Sequence, residues 1–275
     1  MPILITLAVV ALLIGHTVPF SLHHSMPITS KCRMSSSSKD NNKNTRLPSA
    51  VLYDVDGTIS DSFLLGFSAT DAVLRREGFP AISEETYHKG TMYTTPRRFA
   101  WHATNNPDDT SGIGDRLGVM FDDNYVKLVS KETAPLYFGI DKMLRGHAQD
   151  YPNVQQGALS NACGAYVRAV CKANELEVLF RVMKGADEVP EAKPKGGGLL
   201  HCSSLLGVNP SECIYVGDAP TDGQAAKAAG YRCAIGVTWG SHPAHTVRPA
   251  FDHTVGSVKE LDTLLRQLLA GDSLV

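Results

Sequence analysis

No Cys-x-x-Cys pair occurs among the six cysteines of this 275-residue chain. Cys32, Cys163, Cys171, Cys202, Cys213 and Cys233 stand singly, four of them inside apolar or helix-like runs. That usage provides neither a zinc site nor a disulfide framework, and it reads as small buried hydrophobes. A basic surface is also missing: the net charge is -2, which excludes the electrostatic footprint of a nucleic-acid binder. No apolar run approaches the roughly 20 residues of a membrane-spanning helix, so the mature protein is expected to have no stable span. Gly196-Gly197-Gly198 is not followed by Lys-Ser/Thr, which excludes a phosphate-cradling P-loop and leaves a helix start. His242, His245 and His253 lack metal-ligand spacing on a helix and are expected in loops or at the surface.

What is present divides the chain in two. Ile3 to Ile14 is an apolar run of signal-core length without a basic n-region, and Ser21 to Pro48 is Ser-rich with Asp40 its only acid. A signal core followed by a transit-like stretch points to a bipartite presequence addressed to a plastid bounded by extra membranes. The alternative is a secretory signal with a disordered spacer, which would send the protein out of the cell or to another endomembrane compartment. Residues 1–47 are set aside as targeting sequence and spacer.

Beyond them the composition is that of a globular protein, with 43% hydrophobic and 20% charged residues. An apolar strand through Ala50-Val51-Leu52-Tyr53 is followed by a long, mostly helical segment with polar inserts at Thr94 to Arg98 and Asn105 to Gly114. Helical patterns recur in Asn124 to Val129 and Asp141 to Ala148. Alternation then resumes: strands over 155–159, 177–182, 213–216, 231–237 and 251–255, and helices over 162–174, 198–206 and 222–229. A last helix is opened by the Ser257/Glu260 capping box, with Leu261, Leu264, Leu265 and Leu268 inward. Strands alternating with helices predict an α/β fold, a Rossmann-like parallel sheet flanked by helices. Residues 48–63 and 150–275 are assigned to that core and 64–149 to a helical cap.

Polar residues follow strand after strand: Asp54 and Asp56, then Ser160 and Asn161, then Asp218. Carboxyl ends of parallel strands are where such sheets place ligands, so these residues predict one site. Asp54 and Asp56 share a face while the chain is extended. Gly57 lets the backbone turn, and Thr58 adds a hydroxyl. Two like charges so close require a cation or a proton between them.

In order, Asp54-Val55-Asp56-Gly57-Thr58, Leu159-Ser160-Asn161, Lys193-Pro194 and Gly217-Asp218-Ala219-Pro220-Thr221-Asp222 resemble the four motifs of the haloacid dehalogenase superfamily. The resemblance runs from about residue 50 to 269, and an insertion after the first motif resembles the subgroup with a helical cap. Ile235-Gly236-Val237-Thr238-Trp239-Gly240 is most similar to phosphoglycolate phosphatases. Where the family often reads Lys-Pro-x-Pro, Gly196 replaces the second proline, and Lys195 rivals Lys193 for the cationic role.

The resemblance implies a magnesium-dependent phosphatase acting on a small phosphorylated metabolite, with phosphoglycolate the leading substrate. Asp54 would attack phosphorus, Asp56 would act as acid and then base, and Lys193 would neutralise charge. Thr58, Ser160 and Asn161 would meet the phosphoryl group. Asp54, Asp56 through its carbonyl, Asp218 and Asp222 would hold the ion, Asp222 through a water or by orienting Lys193. Arg97 and Arg98 are the cap candidates for a substrate carboxylate. The alternatives are a sugar-phosphate mutase of the same superfamily and a catalytically silent binder of a phosphorylated ligand. Dehalogenation is disfavoured because a halide needs no proton from Asp56.

Overall fold

The computed structural model describes residues 46–271. All but the last two residues of the presequence reading lie outside the described residues. Among the described residues no helix is long and apolar enough to cross a membrane.

Six strands form one parallel sheet: β1 (Ala50–Tyr53), β2 (Gln155–Leu159), β3 (Phe180–Lys184), β4 (Cys213–Gly217), β5 (Cys233–Val237) and β6 (His253–Val255), in the order β3-β2-β1-β4-β5-β6. The α/β class predicted from the alternation is the one observed. β1 lies between β2 and β4, so successive crossovers leave it in opposite directions. That divergence opens a crevice at its carboxyl end.

Residue alternation assigns the two faces. Val51 and Tyr53 of β1, with Ile214, Val216 and Ile235, join one apolar cluster; Ala50, Leu52, Cys213 and Tyr215 join the other. The first face is covered by α5 (Ile140–Asp150), α6 (Gly164–Ala173) and α10 (Val258–Ala270), the second by α7 (Gly197–Leu206) and α8 (Pro220–Ala228). Ser257 caps α10 by accepting the Glu260 N–H at 3.3 Å. Leu261, Leu265 and Leu269 are buried, while Leu264 and Leu268 are only partly so. β3 begins three residues later than predicted. After α6 the chain turns through Glu175 at φ 57°, and Leu176 is tied back to the Cys171 carbonyl at 2.8 Å, which uses up 177–179 before a strand can start.

Between β1 and β2 lie α1 (Phe63–Arg76), α2 (Glu84–Gly90), α3 (Thr95–Thr104) and α4 (Ile113–Leu128), with α5 after them. The first four pack on one another, Phe99 meeting Phe121 at 5.4 Å between α3 and α4. The stretch read as a polar insert at Thr94–Arg98 is the first turn of α3, where Pro96 is tolerated because an N-terminal N–H has no helical partner. α5 does not belong with this cluster. His147 Nε2 lies 2.7 Å from Asp262 of α10, Gln156 of β2 donates to the Leu144 carbonyl at 3.0 Å, and Ile140 and Leu144 are buried in the sheet's core. α5 thus packs on the sheet and on α10, although it falls within the 64–149 assigned to the cap. The cap's entering and leaving chains run side by side, with Asp61 N–H donating to Pro135 at 2.8 Å and Tyr137 N–H to Ile59 at 3.1 Å. A four-residue α9 (Ala244–Val247) completes the helices among the described residues.

Candidate active site

At the end of β1 the backbone continues for one residue in sheet register, Asp54 N–H donating to Val216 at 2.8 Å, and then turns. Gly57 makes the turn at φ 74°, and a Cβ there would collide with the carboxylate of Asp218. Side chain and main chain thus fix glycine twice at this position. The turn, the end of β4, the first turn of α8 and the loop before α7 bring Asp54, Asp218, Asp222 and Lys193 together.

Lys193 Nζ lies 2.8 Å from Asp54 Oδ1 and 2.6 Å from Asp222 Oδ1, and it donates to the Tyr215 hydroxyl at 3.0 Å. Its side chain is 3% exposed, against 70% for Lys195, which pairs outward with Glu191. That contrast settles which lysine reaches the carboxylates. Burial works against the ammonium, yet Asp222 and Asp54 outweigh it and hold Lys193 well above the usual lysine range. Burial, reinforced by Asp222 and opposed by Lys193, pushes the Asp54 carboxyl well above the carboxylate range. Asp222 is raised by burial too, with Lys193 opposing.

Asp54, Asp218 and Asp222 each present an oxygen within 4.8 Å of the others, all three residues buried. Lys193 offsets only part of their charge. A hard divalent cation with oxygen ligands fits this donor set. Asp222 is the least free, since its second oxygen accepts the Ala219 N–H at 2.9 Å at the start of α8. Its geometry is that of a partner for Lys193. Asp218 accepts the Ser241 N–H at 2.8 Å and the Thr58 hydroxyl at 3.5 Å.

The sequence-predicted residues are thus mostly gathered, with different tasks in some cases. The Thr58 hydroxyl is turned to Asp218 and is not among the groups lining the cavity. Asn161 lines the cavity, but its amide clamps the main chain of Lys193, donating to the carbonyl at 3.0 Å and accepting the N–H at 3.1 Å. Ser160 donates to Asp56 Oδ2 at 3.2 Å. Asp56 Oδ1 accepts the hydroxyls of Ser62 and Tyr166.

Above these groups, beneath the cap, is a cavity of about 80 Å³, lined on the cap side by Tyr87, Thr91, Tyr93, Thr95, Arg98 and Tyr125. It has room for roughly half a dozen waters, hence for a small ligand. Arg98 and Arg97 part company here. Consecutive helical residues point about 100° apart. Arg97, the other cap candidate, is turned out to Asp108 at 2.7 Å and is not among the residues lining the cavity. Arg98 lies over Phe121 at 4.7 Å, and its buried Nε and Nη2 have no hydrogen-bond partner among the described residues.

His242, read from sequence as a loop or surface residue, lines the cavity and places Nδ1 3.4 Å from Asp218. Burial opposes its protonation, but the contact with Asp218 raises its pKa above the usual histidine value. It belongs to the loop after β5, where the Trp239 indole donates to the Thr58 carbonyl at 3.2 Å. The Ile235 to Gly240 run was the only sequence signal near it; nothing in that run marked His242.

A parallel sheet presenting this aspartate set and lysine at one carboxyl edge, under an inserted helical cap, defines a capped phosphatase of the α/β class. The chain belongs to the haloacid dehalogenase-like hydrolase family, whose sequence profile matches residues 51–235. It is similar to a phosphoglycolate phosphatase of Chromobacterium violaceum, 30% identical over 220 residues that cover 79% of this chain and 96% of the relative. A phosphoglycolate phosphatase of Pseudomonas putida is 29% identical over 198 residues, covering 70% and 71%. The β-phosphoglucomutase of Clostridium difficile superposes with a TM-score of 0.68 at 18% identity, over 82% of this chain and 98% of that one, a likeness of fold alone.

Proposed function

We propose that this phosphatase hydrolyses the phosphate monoester of a small carboxylic acid, with 2-phosphoglycolate as the substrate. The observation that carries the choice is Arg98: a half-buried guanidinium on the cap side of the cavity, whose buried Nε and Nη2 have no hydrogen-bond partner among the described residues, above a floor that holds the carboxylates. A guanidinium forks onto a carboxylate, and buried N–H donors left without an acceptor favour such a partner. The names of the two bacterial relatives support the same substrate.

In this reading an Asp54 oxygen attacks phosphorus in line, the bond from phosphorus to the ester oxygen breaks, and Asp56 gives that oxygen its proton. Asp56 then takes a proton from the water that cleaves the aspartyl-phosphate. Lys193 holds Asp54 aligned and offsets charge on the phosphoryl oxygens, and Ser160 and the main chain beside Asn161 contact those oxygens. Magnesium would be held by Asp54, the Asp56 carbonyl and Asp218, with Asp222 acting through Lys193; when bound it supplies positive charge to phosphate and nucleophile. The plastid address is part of the proposal, supported by the composition of residues 3–48.

The test is phosphate release from phosphoglycolate, several sugar phosphates and a nucleotide, with and without magnesium, with Asp54→Asn as control. The expected result is magnesium-dependent release, highest kcat/KM on phosphoglycolate, and none in the variant. Arg98→Ala should lower kcat/KM on phosphoglycolate by about two to three orders of magnitude and leave sugar phosphates little changed. A sugar phosphate preferred by a wide margin would overturn the substrate. Phosphate retained and passed to a sugar hydroxyl in the presence of a bisphosphate would identify a mutase instead.

A further inference from the structure

Asp56 draws its hydrogen bonds from three separate segments: Ser62 at the entrance to the cap, Ser160 after β2, and Tyr166 on α6. The serines lie beside recognised motifs. Tyr166 is fully buried, 110 residues from Asp56 in sequence, and it is not among the residues lining the cavity. Its ring is stacked on Tyr125 of α4, with centroids 4.3 Å apart and planes 18° apart. Tyr125 is stacked on Phe121 at 4.4 Å, and the Arg98 guanidinium covers Phe121 at 4.7 Å. A continuous column therefore runs from the cap's cation to the core's Asp56.

We infer that Tyr166 is the positioning residue for Asp56, its phenol fixing the carboxyl's orientation and the cap ring of Tyr125 fixing the phenol. This rests on the reading of Asp56 as the proton donor. A carboxyl's terminal torsion is broad and shallow, so its direction is set by its hydrogen-bond partners. Serine hydroxyls rotate freely and follow the carboxylate wherever it turns. A tyrosine hydroxyl sits at the end of a rigid ring, and the stack on Tyr125 holds that ring's plane. Tyr166 alone among the three donors thus prescribes a direction. The phenol donates to Asp56 Oδ1 from a fully buried ring, and the stack on Tyr125 keeps it aimed there. In the transfer step the proton leaves Asp56 for the ester oxygen as the bond to phosphorus breaks. The resulting carboxylate keeps the Tyr166 O–H bond, and Tyr166 gives up no proton.

The role predicts dependence on the leaving group. An alkyl alcohol needs a proton to depart, whereas 4-nitrophenolate does not. Formation of the phosphorylated enzyme is therefore followed in the first turnover of the full-length protein. The probes are phosphoglycolate, or glycerol 3-phosphate if phosphoglycolate is not turned over, and 4-nitrophenyl phosphate. Tyr166→Phe should slow transfer from the alkyl ester about 10- to 100-fold, the effect of one hydrogen bond to a charged group, and change the nitrophenyl burst less than threefold. Tyr125→Leu, which also alters the cavity wall, should slow the alkyl ester at least tenfold more than the nitrophenyl ester, and the double variant should keep the ratio of Tyr166→Phe, as expected for groups acting through one contact. Equal slowing of both esters, or no slowing of either, overturns the inference. If Tyr166→Phe does not fold, Tyr125→Leu decides by the same comparison. Asp56→Asn separates the two failures. If it shows no alkyl-selective loss, the reading of Asp56 falls; if it does while Tyr166→Phe does not, only the inference about Tyr166 falls.

Discussion

Removing the ammonium of Lys193 would leave Asp54 and Asp222 buried with no cation between them. Breaking a buried ion pair by deleting one partner costs about 3–5 kcal/mol. Lys193→Met is therefore expected to lose about that much unfolding free energy at pH 8 in a chelator. The loss should shrink at pH 5, because burial and mutual repulsion already push both carboxyls upward and protonation relieves the unpaired charge. Urea unfolding at the two pH values checks this, and equal losses would mean the lysine acts through packing. His102 in the cap titrates in the other sense. Burial, then Arg98, lowers its pKa to about 4, and neither ring nitrogen has a hydrogen-bond partner among the described residues. The unfolded chain takes up the proton near pH 6.5, the folded protein only near 4. Its contribution is thus intact above pH 6.5 and is lost as pH falls towards 4. Replacing it by leucine should flatten that part of the urea-midpoint profile. Asp122, raised to about 6 by burial, tilts the same profile the opposite way between pH 6 and 4.

Among the elements, the loop after β5 shows what pattern reading can and cannot reach. Gly240 packs so closely that a Cβ would strike the Gly57 carbonyl and the Asp218 side chain. Gly240→Ala should push the loop outward and withdraw the Ser241 N–H from Asp218. Magnesium affinity should then fall about 10- to 100-fold, as when an outer partner of a metal ligand is lost, with little change in melting temperature. Calorimetric titration with magnesium measures it. The strands were legible because parallel strands bury nearly continuous apolar runs and leave polar residues at their carboxyl ends. That is why Asp54, Ser160 and Asp218 could be placed from sequence alone. β3 was placed too early because Leu176 and Leu179 extend the apolar run, although there they close a helix end. α3 was missed because Thr-Thr-Pro-Arg-Arg reads as a break, and only the burial of Phe99 and Ala100 against α4 reveals its inner face.

At the scale of the whole molecule, the catalytic edge was legible and the connection to the cap was not. The motif residues lie within a few positions of one another inside each motif, and strand order assembles them. Tyr166, Tyr125 and Arg98 act through contacts between segments far apart in the chain, and a tyrosine on a helix looks like any other core residue until its partner is known. The same holds for α5, whose helical pattern is plain but whose allegiance is decided by Asp262 and Gln156. With α5 packed on the sheet, β1, α5 and β2 form a complete strand–helix–strand crossover, the unit adjacent parallel strands require. The paired chains at Ile59–Asp61 and Pro135–Tyr137 then meet as the two sides of a single doorway. In topological terms the cap is a detachable cassette: a bridge of a few residues across that doorway would leave every strand, crossover and register of the sheet in place. Exchanging the cassette would change the side chains that line the roof of the cavity, and it would carry away the Tyr125 ring on which Tyr166 is stacked, so a transplanted cap must bring a ring of its own to that place.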